Sequence, residues 1–174
     1  MGTSLSTIKM LYEYNRWANE RMLVACESLT LEQWSRGLGH SWGSVHGLLT
    51  HMFAAEVIWF SRWKGESPKK SHQAAEFPTF DDLERAWVQI ELDLMQYIDS
   101  LGEKDLTREV TYTNTKGETY TNLLGHLMLH LANHSNHHRG ELAAMLAVLN
   151  VAHPEDDLLF YLREKGHTHK NGGK

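Results

Sequence analysis

Long runs of three- and four-residue hydrophobic spacing constrain this chain more than any other feature. From Ser6 to about Leu29 the apolar positions Ile8, Leu11, Tyr12, Trp17, Met22, Leu23 and Ala25 fall at such steps, with Lys9, Glu13, Arg16 and Glu20 between them. That is the pattern of an amphipathic helix. Ser44 suits the N-cap of a second long helix over 45–64, stopped by Gly65 and followed by Pro68, whose inner face carries Val45, Leu48, Met52, Ala55 and Trp59. Thr79 caps a third, reaching about Leu101, with Asp81, Asp82 and Glu84 in its first turns where the helix dipole favours negative charge. A fourth runs from about Asn122 to Leu149.

Shorter elements fill the gaps. Thr30 caps a brief turn in "TLEQW", and the glycines of "RGLGHSWGS" read as loop. "KGESPKKSHQAAEFPTF" holds two of the three prolines and reads as a long polar loop. The alternation in "REVTYTNTKGETYT" predicts a β-hairpin at 108–120, and Pro154 is placed to start a last short helix, "PEDDLLFYLREK". The expected fold is all-α: a four-helix bundle with a short β-hairpin before the last long helix and a short C-terminal helix. Residues 1–165 are expected to form one domain and 166–174 a flexible tail.

Composition narrows the function. The 174 residues carry a net charge of −5, so there is no electrostatic source for phosphate-backbone binding, and nucleic acid is not an expected partner. No apolar run has the length of a membrane span, and the start, "MGTSLSTIKML", lacks a signal-peptide pattern. A soluble, cytoplasmic protein is expected. The single cysteine, Cys26, rules out an intramolecular disulfide and reads as a buried hydrophobe on the first helix.

The chemistry concentrates in "HLMLHLANHSNHHRGE", where His126, His130, His134 and His138 stand four residues apart. With twelve histidines in the chain, about one HxxxH pair is expected by chance, but a run of four only about 0.004 times. Two imidazoles at i and i+4 can reach one ion. All four cannot, because each four-residue step turns about 40 degrees around the helix. His134 and His138 are the best pair, since Ala132, Asn133, Ser135 and Asn136 around them are short or polar. His126 and His130 sit among leucines and read as core histidines or as groups orienting the ligands; His137 reads as solvated. A third ligand must come from a facing helix. His51, mid-helix in "LLTHMFAAEVIW", is either a hydrogen-bonded core histidine or that ligand, and the pair opposite favours the ligand.

Three segments, "YNRWAN" (14–19), "LLTHMFAAEVIWFSRWKG" (48–65) and "HLANHSNHHRGE" (130–141), resemble in order and spacing the DinB family. These are small DNA-damage-inducible-type bundle proteins unrelated to the polymerase that shares the name. The resemblance covers about residues 5–150. It implies that His51, His134 and His138 bind a divalent ion, often zinc or nickel, in a bundle that commonly forms homodimers. Related bundles include thiol-dependent transferases and isomerases that use glutathione, mycothiol or bacillithiol. One departure is Glu141, where many members have glutamine; it adds a carboxylate near the site.

Three neutral histidines leave a coordination position open, as in catalytic rather than closed structural zinc sites. Such an ion can lower the pKa of water or hold a thiolate. Two functions follow: a metal-dependent enzyme, thiol S-transfer ahead of hydrolysis, acting on a low-molecular-weight thiol or another small molecule, or a noncatalytic metal-binding stress-response homodimer. No catalytic residue is assigned. Glu56 is a candidate general base, but five residues from His51 it is expected to point away from the ion and reads first as a surface or inter-helix carboxylate. Glu141, three residues after His138, is closer in angle and reads equally as a base near the ion or as an ion-pair partner of Arg139 or another surface group, and Arg139 as an anion binder or a helix cap. Tyr12, Trp17, Trp59 and Trp63 could line a pocket, but at helical spacing they read first as core. Metal binding is expected to weaken as pH falls through about 6.5.

Overall fold

Side-chain caps mark where the helices start. In the computed structural model, which describes residues 3–39 and 42–168, Ser4, Ser44 and Thr79 each accept a hydrogen bond from the backbone N–H three residues on. They open α1 (Leu5–Cys26), α3 (Val45–Trp63) and α4 (Phe80–Ser100). Thr30 and Gln33 form a reciprocal capping box that opens the short α2 (Leu31–Ser35). His40 and Ser41 of the expected glycine loop, and residues 169–174 of the expected tail, lie outside the described residues.

The hairpin pairs β1 (Glu109–Thr113) with β2 (Thr119–Leu123), Glu109 opposite Leu123 and Thr113 opposite Thr119. Its turn closes through the Asn114 side-chain carbonyl, which accepts from the backbone of Lys116 and Glu118. The second strand runs three residues past the predicted end and passes straight into α5 (Leu124–Val148), which therefore has no side-chain cap of its own.

One boundary differs more. The last helix, α6, covers Leu158–Glu164 rather than starting at Pro154. Asp156 is drawn away to the α5 side chain Arg139 at 3.1 Å, and Asp157 becomes the N-cap. Proline permits a helix start, but here a tertiary ion pair decides where it falls.

The principal packing pairs are α1 with α4 and α5, and α3 with α4 and α5. Thus α1 and α3, consecutive long helices, are not principal partners, and the segment carrying α2 crosses between them. The pair that matters for function is α3 and α5. The core holds two large apolar clusters, one around Met22, Leu48, Met52, Trp87 and Leu146 and one around Ile8, Trp63, Ile98 and Leu131, and a smaller one around Tyr14, Ala18 and Tyr161. Complete burial of a leucine or isoleucine of this kind stabilises by about 1.5 to 3 kcal/mol. Cys26 is buried and free, as expected. Among the described residues no helix is long and apolar enough to cross a membrane.

Candidate metal centre

The histidine ladder of α5 leaves the surface step by step. His126 and His130 are exposed, His134 is half-buried and His138 is buried. The four-residue spacing drifts about 40 degrees per step, so the row spirals from solvent into the α3/α5 interface. This corrects the expectation for the upstream pair: His126 and His130 are not core residues. His130 stands edge-on to Trp59, with its ring 6.0 Å from that of His134, while His126 lies beside β2.

His51 of α3 meets the lower end of the ladder. Its Nε2 lies 3.2 Å from Nε2 of His134 and 3.1 Å from Nε2 of His138. The three nitrogens form a group that could hold a metal ion. His138 is oriented from behind, where its Nδ1 lies 2.7 Å from Oε2 of Glu141. A carboxylate there accepts a hydrogen bond from Nδ1–H, which keeps the proton on Nδ1 and leaves Nε2 with a lone pair facing the cluster. Glu141 makes this contact instead of a pair with Arg139, and its other oxygen is 3.6 Å from the exposed His137. For His134 no such partner exists among the described residues, because its Nδ1 is buried without a hydrogen bond.

Burial, together with repulsion from the neighbouring histidines, lowers the pKa of His51 to about 4 and of His134 to about 3. Both rings are therefore neutral well below pH 6.5, and protons would compete with a bound ion at these two only at lower pH than the unperturbed value implies.

The other side of His51 is covered by Trp42, whose indole stacks on the imidazole with ring centres 3.6 Å apart and planes within 10°. Two glycines place it there. Gly43 takes a φ of 77°, and a side-chain carbon on Gly47 would lie 2.1 Å from the Trp42 carbonyl oxygen. Nothing in the spacing of the sequence marks Trp42; the two glycines that follow it are the available signal.

A cavity of about 440 Å³ opens against His51 and His134 and is walled by Trp42, Trp59, Arg62 and His130. Trp59 is thus a half-buried pocket wall, whereas Tyr12 and Trp63 are core and Trp17 packs against Tyr161 of α6.

Glu56 and Arg139 belong to another cluster, inside the bundle. Asn15 and Asn19, one turn apart on α1, accept from Nη1 of Arg139 at 2.6 and 3.0 Å and donate to Oε1 of Glu56 at 3.4 and 3.1 Å. An amide suits this bridge because it accepts from the cation with one end and donates to the carboxylate with the other. Trp87 donates to the second Glu56 oxygen, and Asn19 also reaches Glu91. Burial raises the pKa of both carboxyls, with their mutual repulsion adding to that of Glu91, against the opposing pull of these bonds and of Arg139 on Glu56. Arg139 is wholly buried and also binds Asp156, so it anchors α5 to α1 and to the segment before α6 and is not open to a substrate.

The fold and site together define a class: a mainly helical bundle with a three-histidine cluster between two of its helices. The DinB family model matches residues 1–171, and the chain belongs to the DinB family. It is similar to Protein DinB of Bacillus subtilis (strain 168), at 25% identity over 163 residues, covering 87% of this chain and 91% of that one. The crystal structure of a DinB-like protein from Bacillus cereus ATCC 10987 superimposes with a TM-score of 0.68 at 15% identity, over 88% of this chain and 98% of the other, a likeness of fold.

Proposed function

We propose that His51, His134 and His138 bind one divalent metal ion, zinc or nickel, and that the protein is a metal-dependent enzyme joining a low-molecular-weight thiol, through its sulfur, to an electrophile. The observation that carries this reading is the convergence of three Nε2 atoms with His138 locked by Glu141. One His51 N–H can satisfy only one of two neighbours at 3.1 and 3.2 Å, so the cluster holds more lone pairs than protons. Zinc–nitrogen bonds of about 2.0 to 2.1 Å in a tetrahedron put adjacent ligand nitrogens roughly 3.3 Å apart, close to the separations present. The donor set fits.

When bound, such an ion lowers the pKa of a thiol or water at its open position. The protein's own part is to hold neutral imidazoles, to keep their orientation through Glu141 and Trp42, and to offer a cavity on one side for the second reactant. That cavity favours an enzyme over a noncatalytic, metal-stiffened stress-response homodimer, in which the ion would need no adjoining space. Dimer formation in the cytoplasm fits either reading.

The test is direct. Elemental analysis of the purified protein is expected to give about one zinc or nickel per chain. The loaded protein is then assayed with glutathione, bacillithiol or mycothiol and an alkylating electrophile. Absence of bound metal sinks the site; bound metal without turnover of any thiol leaves the homodimer.

A further inference from the structure

Arg62 is the one arginine or lysine among the residues lining the cavity, and no counter-charge faces it among the described residues. It is 6% exposed, yet its Nε is buried without a hydrogen bond, and among the described residues no carboxylate lies within salt-bridge distance. Its guanidinium is held between two rings, 4.5 Å from the centre of Trp59 and 4.8 Å from that of Tyr112, which the hairpin brings over α3. A clamped guanidinium loses little freedom when it binds an oxyanion. None of the cavity's lining residues is acidic, in a chain whose net charge is −5.

Placement relates this cation to the histidines. Arg62 follows His51 by eleven residues, about three turns, so the two share a face of α3 to within about 20 degrees and lie roughly 16 Å apart along the axis. All helical side chains lean toward the N-terminus, His51 as well as Arg62, so only the longer reach of Arg62, whose guanidinium lies over Trp59 nearly one turn closer to His51, shortens the gap. A cavity of about 440 Å³ is in the range that encloses small molecules.

We propose that this cavity binds an elongated anionic small molecule, its carboxylate or phosphate on Arg62 and its opposite, reacting end at His51 and His134. The placement of the reacting end rests on the metal reading above; the anion site at Arg62 does not. A thiol carrying a carboxylate is the substrate class that joins the two.

The test uses the full chain, metal-free and zinc-loaded, titrated with glutarate, glutaramide and inorganic phosphate. Binding is read from the Trp59 indole N–H resonance, assigned with Trp59→Phe. Glutarate or phosphate should move that resonance saturably in the metal-free protein, and the neutral glutaramide should not. The stronger of the two anions identifies the headgroup. Arg62→Met, which keeps the aliphatic stem between the rings, should weaken binding about tenfold or more, and Arg62→Lys should weaken it less. Equal binding of glutaramide and glutarate, unchanged binding in folded Arg62→Met and Arg62→Lys, or no response to either anion would each overturn the proposal. Anion binding by a protein that takes up no zinc would remove the metal reading and leave the anion site standing. Zinc uptake without anion binding would do the reverse.

Discussion

His138 and Arg139 are adjacent on α5 and turn into two polar clusters built on opposite terms. Around Arg139, the asparagines of α1 accept from the guanidinium and donate to Glu56, and Trp87 takes the remaining carboxylate oxygen. Donors and acceptors alternate, with Nη2 of Arg139 left without a partner. Around His138, three ring nitrogens face one another with too few protons, beside an open cavity. Buried polar groups cost free energy unless they are paired. The first cluster therefore explains its own presence as a tie between helices, whereas the second calls for a positive partner from outside the chain.

If that contrast is right, Arg139→Met has the largest effect on stability. It strands Asp156 and the asparagine carbonyls and leaves Glu56 without its nearby cation, at an expected cost of about 3 to 5 kcal/mol in urea unfolding. Zinc stoichiometry in the folded fraction should stay near that of the parent, since Arg139 touches none of the three histidines. His138→Ala should behave inversely. Zinc affinity should fall by more than about 100-fold, beyond the effect of losing an outer partner, while the metal-free protein unfolds at nearly the same urea concentration. A stable Arg139→Met or a zinc-binding His138→Ala would erase the distinction between the clusters.

Glu141 refines the second half of the comparison. It touches His138 but is not one of the three converging histidines. Glu141→Ala should weaken zinc binding about 10- to 100-fold, and Glu141→Gln, which keeps an acceptor but not the charge, by less. Equal losses in both variants would mean that the charge, and not merely the hydrogen bond to Nδ1, sets the ring's basicity.

The two clusters should also give opposite pH dependence in the metal-free protein. His51 and His134 have pKa values lowered to about 4 and about 3, against about 6.5 in the unfolded chain. Their contribution is complete above about pH 6.5 and is lost as pH falls toward 4 and then 3, because the unfolded state binds the protons first. Glu56 and Glu91 have raised values, so their contribution is complete below the unfolded carboxylate range, about pH 4.3, and is lost as pH rises through the folded values. Urea unfolding across pH 3 to 9 should show both limbs. His134→Gln should flatten the acid limb and Glu91→Gln the alkaline one. Matching slopes in parent and variants would show that neither cluster titrates as its burial dictates.

Much of this arrangement was legible in the chain because it follows helical angles. The caps Ser44, Thr79 and Thr30, and the meeting of His51 with His134 and His138, need only local chemistry and the rise and turn of a helix. The same angles, applied further, put Asn15 and Asn19 on the buried stripe with Ile8, Tyr12 and Met22, so the interior polar network had a visible signature. The leucines beside His130 point to the core, but its angle on the helix puts it at the surface. Trp42, the hairpin's hold on Arg62 through Tyr112, and the Arg139–Asp156 pair that delays α6 depend on loops folding back over long distances. No period in the sequence encodes such contacts.

Trp42 gives the smallest expected effect and probes the edge of the metal centre. It contributes no ligand; its indole lies flat on His51 while the residue is 42% exposed. Aromatic pairs of this kind are worth about 0.5 to 1.5 kcal/mol beyond their buried area, so Trp42→Leu should weaken zinc binding roughly two- to tenfold. Gly47→Ala should produce a comparable loss by a different route, because the added carbon collides with the Trp42 carbonyl and lifts the indole off the imidazole. The double variant then separates position from packing. If Gly47→Ala acts by displacing the indole, it should add little once Trp42 is leucine, and a fully additive loss would mean that Gly47 supports His51 through α3 itself.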